Sequence, residues 1–354
     1  MSNKVLDNHC PCCSAPLFYN TTTNHFKCNY CGNEFELKDL QKTEDVTFEK
    51  GHNETNVDPV YVAYSCSNCG AEIVADEHTS STFCLYCGNA AILKDKLSGE
   101  FKPNKIIPFR TEKETAITAF KNLSKGRPFV PKDFLSQKNI SKITGLYIPF
   151  WLYQVKVSGG IEAEGVKVSS WTRGDVHYTK KDYYKLARVG EMDYEKVPVD
   201  GSTRFHNDIM NAIEPFDYQY LIDFNYRYLS GFLAEKYDLD SEISFEEAKR
   251  RVLTSAKDIM YNDMEHYTTK TITNNTIKAE KTNVEYVLLP VWMINVKYQG
   301  QFYLFAMNGQ SGKFIGDIPL DQKKVIIYAI VIFIVLFFVI MIGSYMLYQM
   351  GVVL

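Results

Sequence analysis

The sequence predicts an α+β chain: two small β ribbons, a mixed β-rich core domain with a few helices, and one C-terminal transmembrane helix. Three features lead there. Eight of the nine cysteines fall into two sets of identical spacing, the aromatic residues that make up 14% of the chain crowd into strand-like runs, and the last thirty residues carry no charge.

The ribbons rest on the cysteines. Cys10, Cys13, Cys28 and Cys31, then Cys66, Cys69, Cys84 and Cys87, each read C-x2-C-x14-C-x2-C. A gap of two residues lets both thiolates of a pair bind one ion from a single tight turn, and a gap of fourteen holds a β-hairpin that carries the second pair back. All eight are therefore candidate metal ligands in two closed tetrahedral sites of zinc-ribbon layout, each expected to hold a structural Zn2+. Glycine follows the second cysteine in three of the four pairs (Gly32, Gly70, Gly88), where positive φ turns backbone N–H groups toward sulfur. Ser14 fills that place in the remaining pair, which predicts a looser half-site.

Four thiolates also suit iron, so a rubredoxin-like redox site is the alternative. Disulfides fit poorly, because Met1–Cys10 has no apolar signal-peptide core and nine is an odd number. Cys12 is the leftover and is expected to be a bystander, with His9 and His25 at the surface. A ribbon of about thirty residues buries too little to offset its ordering entropy, so the metal is expected to supply most of its folding free energy.

Residues 1–40 and 61–97 read as the two ribbons, joined by an acidic linker at 41–60 that contains Glu44, Asp45, Glu49, Glu54 and Asp58. Residues 1–100 hold seven Lys, no Arg and fourteen Asp plus Glu, a balance of −7; the whole chain is −3, which leaves +4 for the remainder. Binding to nucleic acid relies on Lys and Arg against phosphate, and base readout on Arg, so an acidic ribbon pair without arginine fits a protein partner better. A membrane-tethered nucleic-acid binder is the rival reading.

Residues 98–319 read as the α+β core. Two capping boxes, Thr111 to Glu114 and Ser244 to Glu247, are expected to open helices. The first has Ala116, Ile117, Phe120 and Leu123 on its apolar face, the second Ala248, Val252, Leu253, Ala256 and Ile259. A further helical piece is expected around Tyr218 to Tyr237. Strands are expected at Ile148–Val157, Tyr183–Val189, Thr269–Ala279, Glu285–Lys297, Gln301–Met307 and Lys313–Asp317. Within the core, YIPFWLYQVKVSG at Tyr147–Gly159 echoes LLPVWMINVKYQG at Leu288–Gly300, aligning Pro149 with Pro290 and Trp151 with Trp292. Either the core holds two related halves or two strands play equivalent roles in one sheet, with both tryptophans packing the core.

No complete phosphate loop, dinucleotide fingerprint, zinc-protease motif or nucleophile elbow is present. MNGQSGK is too short for a phosphate loop and has Phe314 where the magnesium-binding hydroxyl belongs, so it reads as a hairpin turn. Glu214, Asp217 and Asp223 read as caps and solvated loop charges. Nothing in the sequence supports an enzyme.

The last element is the membrane span, residues 325–347. Val325 to Ile342 is almost continuously apolar, and about twenty helical residues cross a bilayer core of roughly 30 Å. Lys323 and Lys324 precede it and no charge follows, so the positive-inside bias predicts a single-pass, tail-anchored protein of the cell membrane with its N-terminus and bulk in the cytoplasm. Thiolate metal ligands agree with that reducing compartment.

Paired ribbons, YIPFWLY, EPFDYQYLIDFNYRYLSGFLAEKYD, LLPVWMINVKYQGQFYLFAMNGQSGK and one terminal span together resemble the bacterial YdjG-like membrane proteins with tandem TFIIB-type zinc ribbons. The resemblance implies an adaptor in an envelope-stress system, with phage-shock-protein-A-like coiled-coil proteins and an SPFH or virion-core-like protein as partners. It implies no catalytic residues.

Overall fold

A computed structural model of the chain describes residues 5–6, 8–40, 62–66, 72–75, 78–83, 90–93, 102–131, 134, 143–205, 207–299 and 301–349. After β1 (Val5–Leu6), the chain forms a three-stranded sheet of β2 (Leu17–Asn20), β3 (His25–Cys28) and β4 (Glu34–Phe35), followed by the helical turn Leu37–Leu40. β5 (Val62–Ser65) and β6 (Glu72–Ala75) pair with each other, as do β7 (Thr79–Phe83) and β8 (Ala90–Leu93). The core strands are β9 (Lys105–Ile106), β10 (Thr144–Arg173), β11 (Val176–Asp200), β12 (Ile222–Asp223), β13 (Leu233–Glu235), β14 (Thr269–Asn275), β15 (Lys278–Tyr298), β16 (Gln301–Asn308) and β17 (Phe314–Gly316). The main sheet runs β1-β8-β7-β13-β10-β15-β16-β17, with β11 and β14 also on β10.

The centre of that sheet is a repeat. β10 and β15 lie antiparallel with Tyr147 opposite Pro290 and Pro149 opposite Leu288, so the two prolines flank the Ile148–Leu289 pair symmetrically. Each long strand leads into a hairpin partner, β11 or β16. Each also takes a short parallel strand at the equivalent position: β13 on Leu146 and Tyr147, β9 on Val287 and Leu288. Each short strand is followed by a helix, Ser241–Asn262 after β13 and Lys113–Lys121 after β9. In chain order these are two β-α-β-β units, each lending its short strand to the long strand of the other. The echoed motifs are thus equivalent strands of two related halves, paired across their own seam.

Both tryptophans pack the core. Trp151 and Trp292 are 8% and 5% exposed, and their indole N–H groups donate to Leu239 O at 2.8 Å and Thr111 Oγ1 at 3.0 Å. Alternation along the strands separates two apolar layers. Tyr147, Trp151 and Tyr153, with Leu288, Trp292 and Ile294, meet the helices through Ala116, Phe120, Ala248, Val252 and Ala256. On the opposite face, Ile148, Phe150, Leu152, Leu289 and Val291 meet Met210 and Ile213 of helix Asn207–Ile213. These strands are apolar at consecutive positions because both of their faces are covered.

Local signals misplaced some boundaries. The first helix starts at Lys113 behind Glu112, which makes no side-chain cap; Thr111 instead donates from its hydroxyl to Gly309 O at 2.9 Å. The second helix starts three residues before Ser244, capped by Asp240, which accepts from the Glu242 and Ile243 N–H groups. Its buried stripe is Ala248, Val252, Ala256 and Met260, leaving Ile259 51% exposed. The helix expected over Tyr218 to Tyr237 is replaced by 3-10 turns Tyr218–Tyr220 and Tyr226–Leu229 with β12 and β13. Strands β10 and β11 run far past the expected limits, because each is held by its neighbour through a long ladder, broken only by a bulge at Gln154 and Glu195–Lys196, rather than by its own apolar pattern. Thr269–Ala279 divides into β14 and the start of β15, and the Thr276 hydroxyl between them donates to Gly160 O at 3.1 Å.

The first ribbon is not a separate lobe. Its Cys10, Leu17, Tyr19, Phe26, Cys28 and Leu40 belong to the same buried cluster as Trp151 and Trp292. β7 and β8, from the region of the expected second ribbon, continue the main sheet through β13. The linker at 41–60 lies outside the described residues.

Candidate metal centre

The fourteen-residue gap between the first two cysteine pairs holds the hairpin that the spacing predicts. β2 and β3 pair from Leu17–Cys28 to Asn20–His25, and the Asn20 carboxamide accepts from the Thr22 and Thr23 N–H groups to close the turn. That hairpin brings Cys28 and Cys31 back onto Cys10 and Cys13.

The two pairs sit in turns of the same design. Ser14 N donates to Cys10 O and Gly32 N to Cys28 O, both at 2.9 Å; Cys10 N donates to Ala15 O at 2.7 Å and Cys28 N to Asn33 O at 2.9 Å. Ser14 takes φ +60° and Gly32 φ +78°. Serine thus adopts the left-handed backbone that glycine supplies elsewhere, and the half-site expected to be looser has the same two backbone-to-backbone hydrogen bonds as its mate.

The sulfurs converge. Cys10 Sγ lies 3.6 Å from Cys31 Sγ, Cys13 Sγ 3.5 Å from Cys28 Sγ, and all four lie within 4.8 Å of one another. Four sulfurs at Zn–S bonds of about 2.3 Å would stand about 3.8 Å apart at tetrahedral vertices, so the cluster has the dimensions of a metal cage. It is the one such cluster among the described residues. Cys10 and Cys28 are buried, Cys13 half-buried and Cys31 exposed at the rim.

Backbone donors tune the thiols. The Cys31 N–H, 3.5 Å from the Cys28 sulfur, pulls the Cys28 thiol down to about 6 against the opposing effect of burial, helped by the Tyr30 N–H and the Cys13 and Cys31 thiols. Cys13 moves upward: the Ala15 backbone lowers it, but burial and the Cys28, Cys31 and Cys10 thiols outweigh that contribution. A metal ion would stabilise all four as thiolates and release protons on binding.

Neighbouring candidates stay apart. Cys12 is exposed and outside the cluster. His25 holds the Thr23 carbonyl through Nδ1 at 2.6 Å, and His9 lies in an isolated bridge to Pro16. Of the second set, Cys66 is buried beside Tyr64, Ile73, Ala75, Ala91 and Leu93. Cys69, Cys84 and Cys87 lie outside the described residues. The carboxylates Glu214, Asp217 and Asp223 serve separate ends: Glu214 pairs with Arg251 at 2.8 Å, Asp217 caps the Tyr218–Tyr220 turn, and Asp223 is exposed in β12.

Sequence spacing did not reveal how the cluster is docked. Tyr228 meets Tyr19 at 5.2 Å and Phe26 at 5.5 Å between ring centroids, on the back of the hairpin that carries the cysteine cluster. Arg227 donates to Asn8 Oδ1 at 2.7 Å and to Leu40 O at 3.4 Å, Asn8 also donates to Ser230, and Tyr19 N donates to Ser230 O at 3.1 Å. The aromatic density of Tyr226–Tyr228 is the only hint of this in the sequence.

At the far end of the chain, helix Gln322–Gln349 is capped by Asp321, whose carboxylate accepts from Lys324 N at 3.3 Å. Gln322–Tyr345 is long and apolar enough to cross a membrane, and no residue of its most apolar stretch is buried. Its root is tied to the core: Asp321 N donates to Phe129 O at 2.8 Å, Lys324 Nζ to Val130 O at 3.2 Å, and Tyr328 meets the Phe129 ring edge-on at 5.2 Å.

No protein-family model matches the sequence, and no solved structure matches it. Among curated proteins, the uncharacterized protein YdjG of Bacillus subtilis (strain 168) is 33% identical over 313 residues, covering 75% of this chain and 92% of the relative. Identity of that level across nearly the whole of the relative is common descent, and the chain belongs to the YdjG family.

Proposed function

We propose that this protein is a membrane-anchored adaptor whose metal-braced cytoplasmic portion presents protein-docking surfaces at the bilayer. The observation that carries this reading is the exposed apolar helix Gln322–Tyr345, fastened to the folded core through Asp321, Lys324 and Tyr328. A core fixed at the root of such a helix stays beside the lipid and raises the local concentration of whatever it binds. Lys323 and Lys324 at the root favour a cytoplasmic core.

Zinc in the Cys10, Cys13, Cys28 and Cys31 cage serves structure in this reading. All four positions are protein sulfur, which leaves no open coordination site for substrate. Cys66, Cys69, Cys84 and Cys87 are assigned a second zinc on spacing alone. The partners are taken from the resemblance: phage-shock-protein-A-like coiled-coil proteins and an SPFH or virion-core-like protein of an envelope-stress response.

Crosslinking of the intact membrane protein followed by identification of its neighbours tests the proposal. A coiled-coil or SPFH-like partner should be recovered, and deletion of Val325–Leu354 should release it to the cytosol. Unchanged partner localisation after that deletion would rule out recruitment.

A further inference from the structure

β11 is a 25-residue edge strand. It pairs with β10 from Asp200 to Val176, and among the described residues no strand covers its other side. β14 reaches β10 only as far as Val166, so beyond that point the hairpin is a bare two-stranded ribbon. Two-stranded ribbons are marginal in water, and long regular edges are templates for further strands. Here the outer strand exposes Val189 to 83% and Tyr183 to 63%.

The edge has a defined polarity. Gly174 and Asp175 make a two-residue turn, with Gly174 at φ +63°, so the flanking pair Arg173 and Val176 exchange hydrogen bonds, as do alternate pairs behind it. Even-numbered residues of β11 up to Tyr194 thus face β10. The odd-numbered ones, Lys185, Ala187, Val189, Glu191 and Asp193 among them, direct N–H and C=O groups outward. Charge divides at the same place. From Val176 to Arg188 there are four basic residues and one acid; from Gly190 to Lys196 there are three acids and one lysine. Some of these charges are already engaged: Lys180 with Asp182, Arg188 with Asp263, and Glu191 with Lys156. Lys181, Lys185, Asp193 and Glu195 form no ion pair among the described residues. An antiparallel copy of this strand is therefore its own electrostatic complement.

We propose that two copies of the chain pair edge to edge along β11, antiparallel about a two-fold axis at Val189. This register sets Lys185 of each copy opposite Asp193 of the partner subunit, short of the bulge at Glu195 and Lys196. The overlap from Lys185 to Asp193 supplies about ten backbone hydrogen bonds between outward-facing groups. The Arg188 side chain, which donates to the outward Ala187 carbonyl at 3.0 Å, swings aside on pairing.

The test is the mass of the full chain in detergent, by sedimentation across a concentration series. The wild type should be a dimer. Val189→Pro should be monomeric, because it removes an outward N–H while leaving the ladder to β10 intact. Lys185→Glu should weaken the dimer about tenfold, and adding Asp193→Lys should restore it. Should the proline variant not fold, the charge pair decides. A wild-type monomer, a dimer indifferent to Val189→Pro and Lys185→Glu, or failure of the double variant to regain wild-type affinity would each overturn the proposal.

Discussion

Asp200 and Asn308 occupy the same position in the two halves of the core. Asp200 ends β11 opposite Phe150, Asn308 ends β16 opposite Val291, and each precedes a glycine, Gly201 or Gly309, whose N–H donates at 2.8 Å to the carbonyl of Pro149 or Pro290. Their partners differ. Asn308 accepts from the Gln310 and Ser311 N–H groups and donates to Ile213 O and Pro215 O, whereas Asp200 Oδ2 is buried without a hydrogen-bond partner among the described residues.

That difference predicts a pH effect. Burial first, then Glu214, Asp238 and Glu247 nearby, pushes the Asp200 carboxyl up from 3.8 to about 6. The folded protein then holds a proton that the unfolded chain releases, so stability falls as pH rises from about 4 to about 6 and is level above it. Asp200→Asn should be more stable than the wild type at pH 7 by about 1–3 kcal/mol and should lose this slope, measured by denaturant unfolding between pH 4 and 8.

The two turn glycines should respond unequally to alanine. A Cβ at Gly309 would sit 2.7 Å from the Phe109 ring and 2.8 Å from Pro290 Cβ, while at Gly201 the nearest atom is Trp151 Nε1 at 3.2 Å. Gly309→Ala should cost about 2 kcal/mol and Gly201→Ala less than half of that, read as shifts in unfolding midpoint.

Ser14 holds a left-handed backbone at the first cysteine turn. Ser14→Gly should stabilise the folded ribbon by about 0.5–1 kcal/mol, the relief of steric strain offset in part by glycine's greater freedom when unfolded. The check is slower metal loss to a chelator, with the hairpin otherwise unchanged.

Tyr228 joins the hairpin that carries the cysteine cluster to the core through Tyr19 and Phe26. Tyr228→Ala should cost about 2 kcal/mol and speed metal release, because a loosened ribbon exposes Cys10 and Cys28 to chelator. Release at the wild-type rate would mean that docking does not protect the ion.

Much of this architecture was legible from local rules. Cysteine spacing located the hairpin of Leu17–Cys28 and the convergence of Cys10, Cys13, Cys28 and Cys31, since a metal cage constrains chain separation directly. The proline and tryptophan echo located two equivalent strands. Their reciprocal exchange of β9 and β13 was not legible, because strands of two and three residues carry no periodic signal. Capping boxes at Thr111 and Ser244 misled where tertiary contacts won: Thr111 is drawn to Gly309, and Asp240 caps first. The length of β10 and β11 escaped notice in part because their ends beyond Val166 and before Tyr183 are largely polar and exposed, with no third strand on them among the described residues.

We propose that one zinc ion sits in the cage of Cys10, Cys13, Cys28 and Cys31 and braces a ribbon docked on the core. Metal analysis and X-ray absorption at the zinc edge check this on full-length protein with Cys66, Cys69, Cys84 and Cys87 replaced by serine. One zinc per chain with four sulfur neighbours at about 2.3 Å is the predicted result. Iron in place of zinc, an empty cage, or a shell of nitrogen and oxygen neighbours would contradict it.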